Sequence, residues 1–121
     1  MKNKNQQPVY GIITLLGMPQ FKIYDPNSVG YVEVNDKEIT VYFKNGSTQI
    51  SHMSLTAFEV QCNPNQFCRI HYKYLINMNY AKSKRRHGRG YKVTLKNDTE
   101  LEVSVKKKDN FLKLAKIYIP S

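Results

Sequence analysis

Phe67-Cys68-Arg69-Ile70-His71-Tyr72-Lys73-Tyr74-Leu75-Ile76-Asn77 is the stretch that decides how the whole chain is read. It begins as an alternating strand, with Phe67 and Cys68 on opposite sides, and closes as a second apolar run at Tyr74-Leu75-Ile76. His71, Tyr72 and Lys73 lie between the two. Cationic and aromatic groups on a short connection between anchored strands are presented to a partner at little cost in loop entropy. The charge of the chain changes at the same place.

Residues 1–68 hold five Lys or Arg and five Asp or Glu, whereas residues 69–121 hold fourteen cations against four carboxylates. The net charge of +10 therefore belongs entirely to the second part of the chain. Self-repulsion of that size disfavours a compact fold unless an anionic partner compensates it, with nucleic acid the first candidate and an anionic membrane the second. A length of 121 residues, 40% of them apolar and 23% charged, suits one soluble domain with a modest core. Cys62 and Cys68 form no Cys-x-x-Cys pair, and no secretory signal precedes them, so two buried thiols in a reducing, cytoplasmic setting are expected. The apolar run Gly11–Leu16 is too short to span a bilayer.

Turn chemistry divides the rest. After a polar lead, Val9–Leu16 reads as a strand or a short docking segment, ended by Gly17 and Pro19. Phe21–Tyr24 alternates and meets a turn at Asp25-Pro26-Asn27-Ser28. Tyr31–Val34 and Glu38–Phe43 read as strands around a tight turn at Asn35-Asp36-Lys37, with Ile39, Val41 and Phe43 on one face. Asn45-Gly46 marks a hairpin into Ser47–Ile50. Ser54 is placed to cap a short helix running to about Cys62, ended by Asn63-Pro64. Beyond Asn77-Met78-Asn79, a strand through Tyr80–Arg86 reaches the loop His87-Gly88-Arg89-Gly90 and returns through Tyr91–Leu95. Asn97-Asp98 then turns the chain into Glu100–Val103. Ser104 is placed to cap a final helix with Phe111, Leu112, Leu114 and Ala115 on its apolar face. Val41–Thr48 and Val93–Glu100 resemble one another, as one hairpin recipe used twice. The expected fold class is mostly β: antiparallel and hairpin-rich, with two short helices.

Enzymatic chemistry finds little support. His52, His71 and His87 are widely spaced and not at ligand distance from both cysteines, and no phosphate loop or nucleophile elbow occurs. We therefore expect neither catalysis nor a metal or cofactor. The run Lys84-Arg85-Arg86-His87-Gly88-Arg89-Gly90 is the densest in cations. It suits a phosphate backbone, and equally a solvated hairpin tip. With Ser104 as cap, Lys106, Lys107 and Lys108 fall in the first turn of a helix, against its dipole, an arrangement that favours a docked anion. His71 fits a packed, hydrogen-bonded histidine as well as a base-edge partner, whereas Tyr72 and Lys73 suit contact with a partner.

The pattern aromatic, Arg-x-His, polar step, aromatic, aliphatic, Ile-Asn at Phe67–Asn77 resembles the LytTR family of bacterial DNA-binding domains. Ala81–Arg86, Gly90-Tyr91 and Leu101-Glu102-Val103-Ser104 before a basic terminal helix match the family's later elements in order. The resemblance spans roughly Phe21–Ile117, which divides the chain into a lead or short extra strand at 1–20 and a DNA-binding domain at 21–119. It implies small antiparallel sheets that bind duplex DNA through loops, as a bacterial transcriptional regulator. The implied contact residues are Lys37, then Arg69, His71, Tyr72 and Lys73, then Lys106 and Lys107. The basic loop adds Arg85, Arg86 and Arg89 as phosphate contacts. Tyr72 stands where Arg, Lys or Asn is commoner, and Lys73 replaces a frequent Ser. The family usually carries a receiver domain, which the residues before Phe21 are too few to form, so a stand-alone regulator or an excised domain is expected. Implied partners are paired or repeated duplex sites, a dimer on the DNA, and a regulatory protein or membrane for the N-terminal segment. The alternative from another class is an RNA-binding or ribosome-associated β module, with Tyr72, Tyr74 and Tyr91 stacking on unpaired bases.

Overall fold

A computed structural model describes residues 10–16 and 21–120. The sequence's turn signals break the described residues into ten strands and two α-helices. Strands β1 (Ile13–Leu16) and β2 (Phe21–Tyr24) form an antiparallel pair. The centre is a sheet of β3 (Val29–Asn35), β4 (Glu38–Phe43), β5 (Thr48–Ser51), β6 (Phe67–His71) and β7 (Tyr74–Asn77), in the order β5-β4-β3-β7-β6. A third sheet takes β8 (Ala81–His87), β9 (Gly90–Leu95) and β10 (Glu100–Val103) in the order β10-β9-β8. All pairings are antiparallel, as hairpin connections require.

The central sheet is covered on both faces. One face joins Val32, Val41 and Leu75 to Ile13 and Leu15 of β1 and to Leu55 and Phe58 of α1 (Leu55–Glu59). The other joins Tyr31, Cys68, Ile70 and Ile76 to the third sheet and to Phe111, Leu114 and Ala115 of α2 (Lys108–Tyr118). This is why Phe67 and Cys68, on opposite sides of one strand, are both buried. It also places Ile13 and Leu15 in the core, so this part of the Val9–Leu16 run serves packing, while Ile12 stays exposed. Val9 lies outside the described residues. Tyr31 and Tyr42 stack on the second face, ring centroids 4.3 Å apart, and the Tyr42 hydroxyl donates to Glu33 at 3.1 Å. Among the described residues no helix is long and apolar enough to cross a membrane.

The hairpin recipe seen twice in the sequence extends well beyond its turns. Asp25 and Asn77 each accept a backbone N–H two residues on, capping single 3-10 turns at Pro26–Ser28 and Met78–Tyr80. Lys44 N donates to Ser28 O at 2.8 Å, and Lys96 N to Tyr80 O at 2.9 Å. Phe43 N and Leu95 N donate to Ser47 O and Thr99 O at 2.9 and 2.8 Å. At the opposite strand ends, Asp36 and Gly88 hold φ of 58° and 60° in the β3–β4 and β8–β9 turns. Every one of these pairs is separated by the same 52 residues. Two copies of a turn–hairpin–turn unit thus flank the β6–β7 hairpin.

The helix starts differ from each other. Ser54 caps α1 as expected, its Oγ accepting from Ala57 N at 3.0 Å, though the helix ends at Glu59 and a looser turn carries the chain to Cys62. Ser104 does not cap α2. Its N–H is committed to Ile70 O at 2.8 Å, and its side chain makes no capping bond. The backbone leaving β10 is still tied to β6 there, so a tight 3-10 turn, Val105–Lys107, intervenes before α2 begins at Lys108. Lys106 and Lys107 therefore precede the α-helix, and Lys108 shares its first turn with Asp109. The 3-10 turn runs unbroken into α2, so Lys106, Lys107 and Lys108 stand together at the start of the helical run after Ser104, with Asp109 beside them.

Burial pushes the Cys62 and Cys68 thiols and the Tyr31 hydroxyl up to about 12. Below their ordinary values, folded and unfolded chains hold these protons alike. At higher pH the unfolded chain releases them first, so stability falls as pH climbs toward about 12. Urea midpoints should decline from about pH 9 upward, and Tyr31→Phe should flatten the portion above about pH 10. A midpoint independent of pH over that range would contradict this burial.

Candidate nucleic-acid interface

Backbone bonds gather the turns at one end of the central sheet. Val34 N donates to Lys73 O at 2.9 Å, which ties the end of β3, beside the Asp36-Lys37 turn, to the β6–β7 turn. The bond from Ser104 to Ile70 holds the Val105–Lys107 turn against β6. The β8–β9 tip joins them through Gly90, where a Cβ would stand 2.5 Å from Val103 O, so only glycine permits this approach. Lys108 Nζ reaches Arg89 O at 3.5 Å across the same junction. Lys37, Tyr72, Lys73, Arg89, Lys106 and Lys107 are all exposed on these segments, as is Arg86 nearby.

The conformation of the middle turn is fixed by Arg69. Pairing of β6 with β7 shifts register between Arg69 and His71. The Arg69 guanidinium bridges the turn that follows: Nε donates to His71 O at 2.9 Å and Nη2 to Tyr72 O at 2.6 Å. Nη1 donates to Glu59 at 3.1 Å, and the side chain is 18% exposed. Only a planar fork of donors meets two carbonyls and a carboxylate together. His71 works on the same turn. Its Nδ1 accepts from Lys73 N at 3.2 Å, which places the ring proton on Nε2, 3.9 Å from the Glu102 carboxylate. Its ring lies against Tyr72 and Tyr74, with centroids 4.6 and 5.6 Å away. Tyr72 itself is 67% exposed, with Lys73 Nζ 5.7 Å from its ring centroid.

The structure thus sorts the sequence-derived residues into two groups. Lys37, Tyr72, Lys73, Arg86, Arg89, Lys106 and Lys107 present exposed side chains. Arg69 and His71 are turned inward and engaged, and Arg85 lies outward in a two-pronged bond to Glu100 at 3.0 and 3.1 Å. Hydrogen bonding from Arg85 holds the Glu100 carboxyl below its ordinary range. Glu59, Glu100 and Glu102 are the residues sequence reasoning missed. They act from other strands and from α1, and only pairing register reveals them. Arg69, Lys106 and Lys107 line one open cavity of about 670 Å³ between α1 and the start of α2, while Lys37 lines a separate one with His52 and Ser54. A ridge of cations bordering an exposed aromatic is suited to a polyanion. Among the described residues no His/Cys/Asp/Glu cluster is suited to a metal ion.

A family profile described as the LytTr DNA-binding domain matches residues 20–116. Among solved structures, the LytTr DNA-binding domain of a response regulator from Bacillus cereus superposes with a TM-score of 0.73 at 24% identity. The match covers 86% of this chain and 95% of that one, and it shows the same fold. No curated protein matches the chain.

Replacing Arg69 by Lys keeps the charge beside Glu59 but loses the fork that holds two carbonyls. We expect a stability loss of about 1–2 kcal/mol by urea unfolding and a roughly tenfold loss in duplex affinity by fluorescence anisotropy. Unchanged affinity with lowered stability would show that Arg69 does not position the Tyr72-Lys73 turn for binding.

Proposed function

The chain belongs to the LytTR DNA-binding domain family, whose domains bind DNA in transcription regulation, and from that membership we propose sequence-specific reading of duplex DNA by the gathered turns. One observation carries the assignment: backbone-tied turns at one end expose Lys37, Lys73, Arg89, Lys106 and Lys107, and these cations have no carboxylate within ion-pairing distance among the described residues. Elsewhere on the surface, Lys82, Arg85 and Lys92 are matched by Asp98 and Glu100. Unmatched cations on a rigid end are what a row of phosphates compensates.

In this reading Lys37, Tyr72 and Lys106 approach base edges, and Lys73, Lys107 and Arg89 hold phosphates. Tyr72 offers a hydroxyl and an apolar ring, suited to a single hydrogen bond and to a thymine methyl, in place of the bidentate pairing an Arg or Asn would make. Arg69 and His71 act through the turn they hold. Arg85 reaches a phosphate only by giving up Glu100, so it is assigned no contact. Turns on a compact domain cover a short half-site, which favours paired or repeated sites, with two chains on one duplex.

The RNA alternative loses support from burial. Tyr74 packs against His71, and Tyr91 packs with its ring centroid 6.5 Å from that of Phe111, which leaves Tyr72 alone exposed to stack on an unpaired base. Competition of duplex DNA against single-stranded RNA at fixed salt tests the choice, and tighter RNA binding would reverse it. Lys106→Ala should reduce discrimination between a selected site and random duplex. Lys107→Ala should weaken both and lower the salt slope by about one. Equal losses on both duplexes for Lys37, Tyr72 and Lys106 variants would remove the base-reading roles.

A further inference from the structure

Strand β8 carries two kinds of cation, sorted by the pleat. On the outer face, Arg85 lies opposite Lys92, and both are paired to Glu100, with Lys82 paired to Asp98. On the inner face, Lys84 lies opposite buried Val93, and Arg86 opposite half-buried Tyr91. Neither Lys84 nor Arg86 has a carboxylate within ion-pairing distance among the described residues. Lys84 instead borders a groove of about 450 Å³ whose other wall is the end of α2: Lys116, Ile117, Tyr118 and Pro120. Ile117 is 73% exposed there, and the one carboxylate of α2, Asp109, sits at its opposite end. Because β8 ends its sheet, the order being β10-β9-β8, the groove also opens onto an edge free of a neighbouring strand among the described residues.

We propose that the β8 edge and the end of α2 form a docking site for an extended acidic peptide segment of a partner protein. Its backbone would add a strand to β8, and the side chains of its one inward-facing pleat, acidic and apolar in turn, would meet Lys84 and Lys116 and lie on Ile117 and Tyr118. The chemistry selects this occupant. Duplex phosphates have no use for the exposed isoleucine or for a free sheet edge, and the base-reading turns stand at the other end of α2. A second copy is disfavoured by its own net charge of +10. Its acidic strand, β10, already spends Glu100 on Arg85 and Lys92. Six exposed residues from Lys82 to His87, five of them Lys, Arg or His, keep basic chains from the edge and leave it open to an acidic one. Seven residues of β8 extend roughly 20 Å, enough for a peptide of about six residues.

The test is fluorescence anisotropy on the whole chain with a labelled heptapeptide whose every second residue is glutamate or isoleucine in turn, with serine between. A second peptide of equal charge carries serine at the apolar places. The first should bind saturably, one per chain, and about tenfold more tightly than the second. Lys84→Gln with Lys116→Gln, or Ile117→Asp alone, should weaken it about tenfold, while affinity for a short duplex stays within about twofold. Binding should persist on protein saturated with duplex. Equal affinity for the two peptides, no effect of the variants, or displacement of the peptide by duplex would each overturn the proposal. The duplex titration stands by itself, so failure of the DNA reading is seen separately.

Discussion

The Arg69 guanidinium is the constraint on which the functional end depends. Where β6 and β7 shift register, Arg69 donates to two successive carbonyls of the turn that follows, those of His71 and Tyr72, and anchors itself on Glu59 of α1. His71 Nδ1 takes the N–H of Lys73, and Val34 takes its carbonyl. With its backbone groups consumed, the turn is left with one conformation and two outward side chains, Tyr72 and Lys73. The Arg-x-His pattern is thus a device for presenting the residues that follow it.

That device stands on a central sheet buried on both faces, flanked by two copies of the same turn–hairpin–turn unit. The copies diverge at their ends. In the first, Ser54 caps a short helix directly. In the second, Ser104 N–H is held by Ile70 O, and a 3-10 turn that carries Lys106 and Lys107 leads into α2. The β8–β9 tip follows Gly90 onto Val103, which brings Arg89 beside them. Positive charge from separate parts of the second half of the chain converges on one end.

Much of this was legible from local chemistry. Asn45-Gly46, Asn97-Asp98 and Asp25-Pro26 marked turns because their side chains and φ preferences act within a few residues. Ser54 announced α1, and the step in charge at Arg69 announced a polyanion-facing half. What stayed hidden was decided by contacts distant in sequence. The inward set of Arg69 depends on Glu59, ten positions away on another element. The neutralisation of Arg85 depends on Glu100 reaching across β9, fifteen positions on. Ser104 stands at the start of the helical run, as its sequence suggests, but its side chain makes no capping bond, and only its carbonyl takes up Lys107 N.

The outer face of the third sheet is close to neutral, while the turn end and the inner edge of β8 are not, so charge is distributed by partner and not merely by solubility. The central claim is that the turn end reads duplex sequence. Selection of bound molecules from a random duplex library tests it most directly. The account predicts enrichment of a motif with two short blocks about one helical turn, roughly 10 base pairs, apart, or multiples of that spacing. Recovery of sequences indistinguishable from the input library, at an affinity set by salt alone, would contradict it.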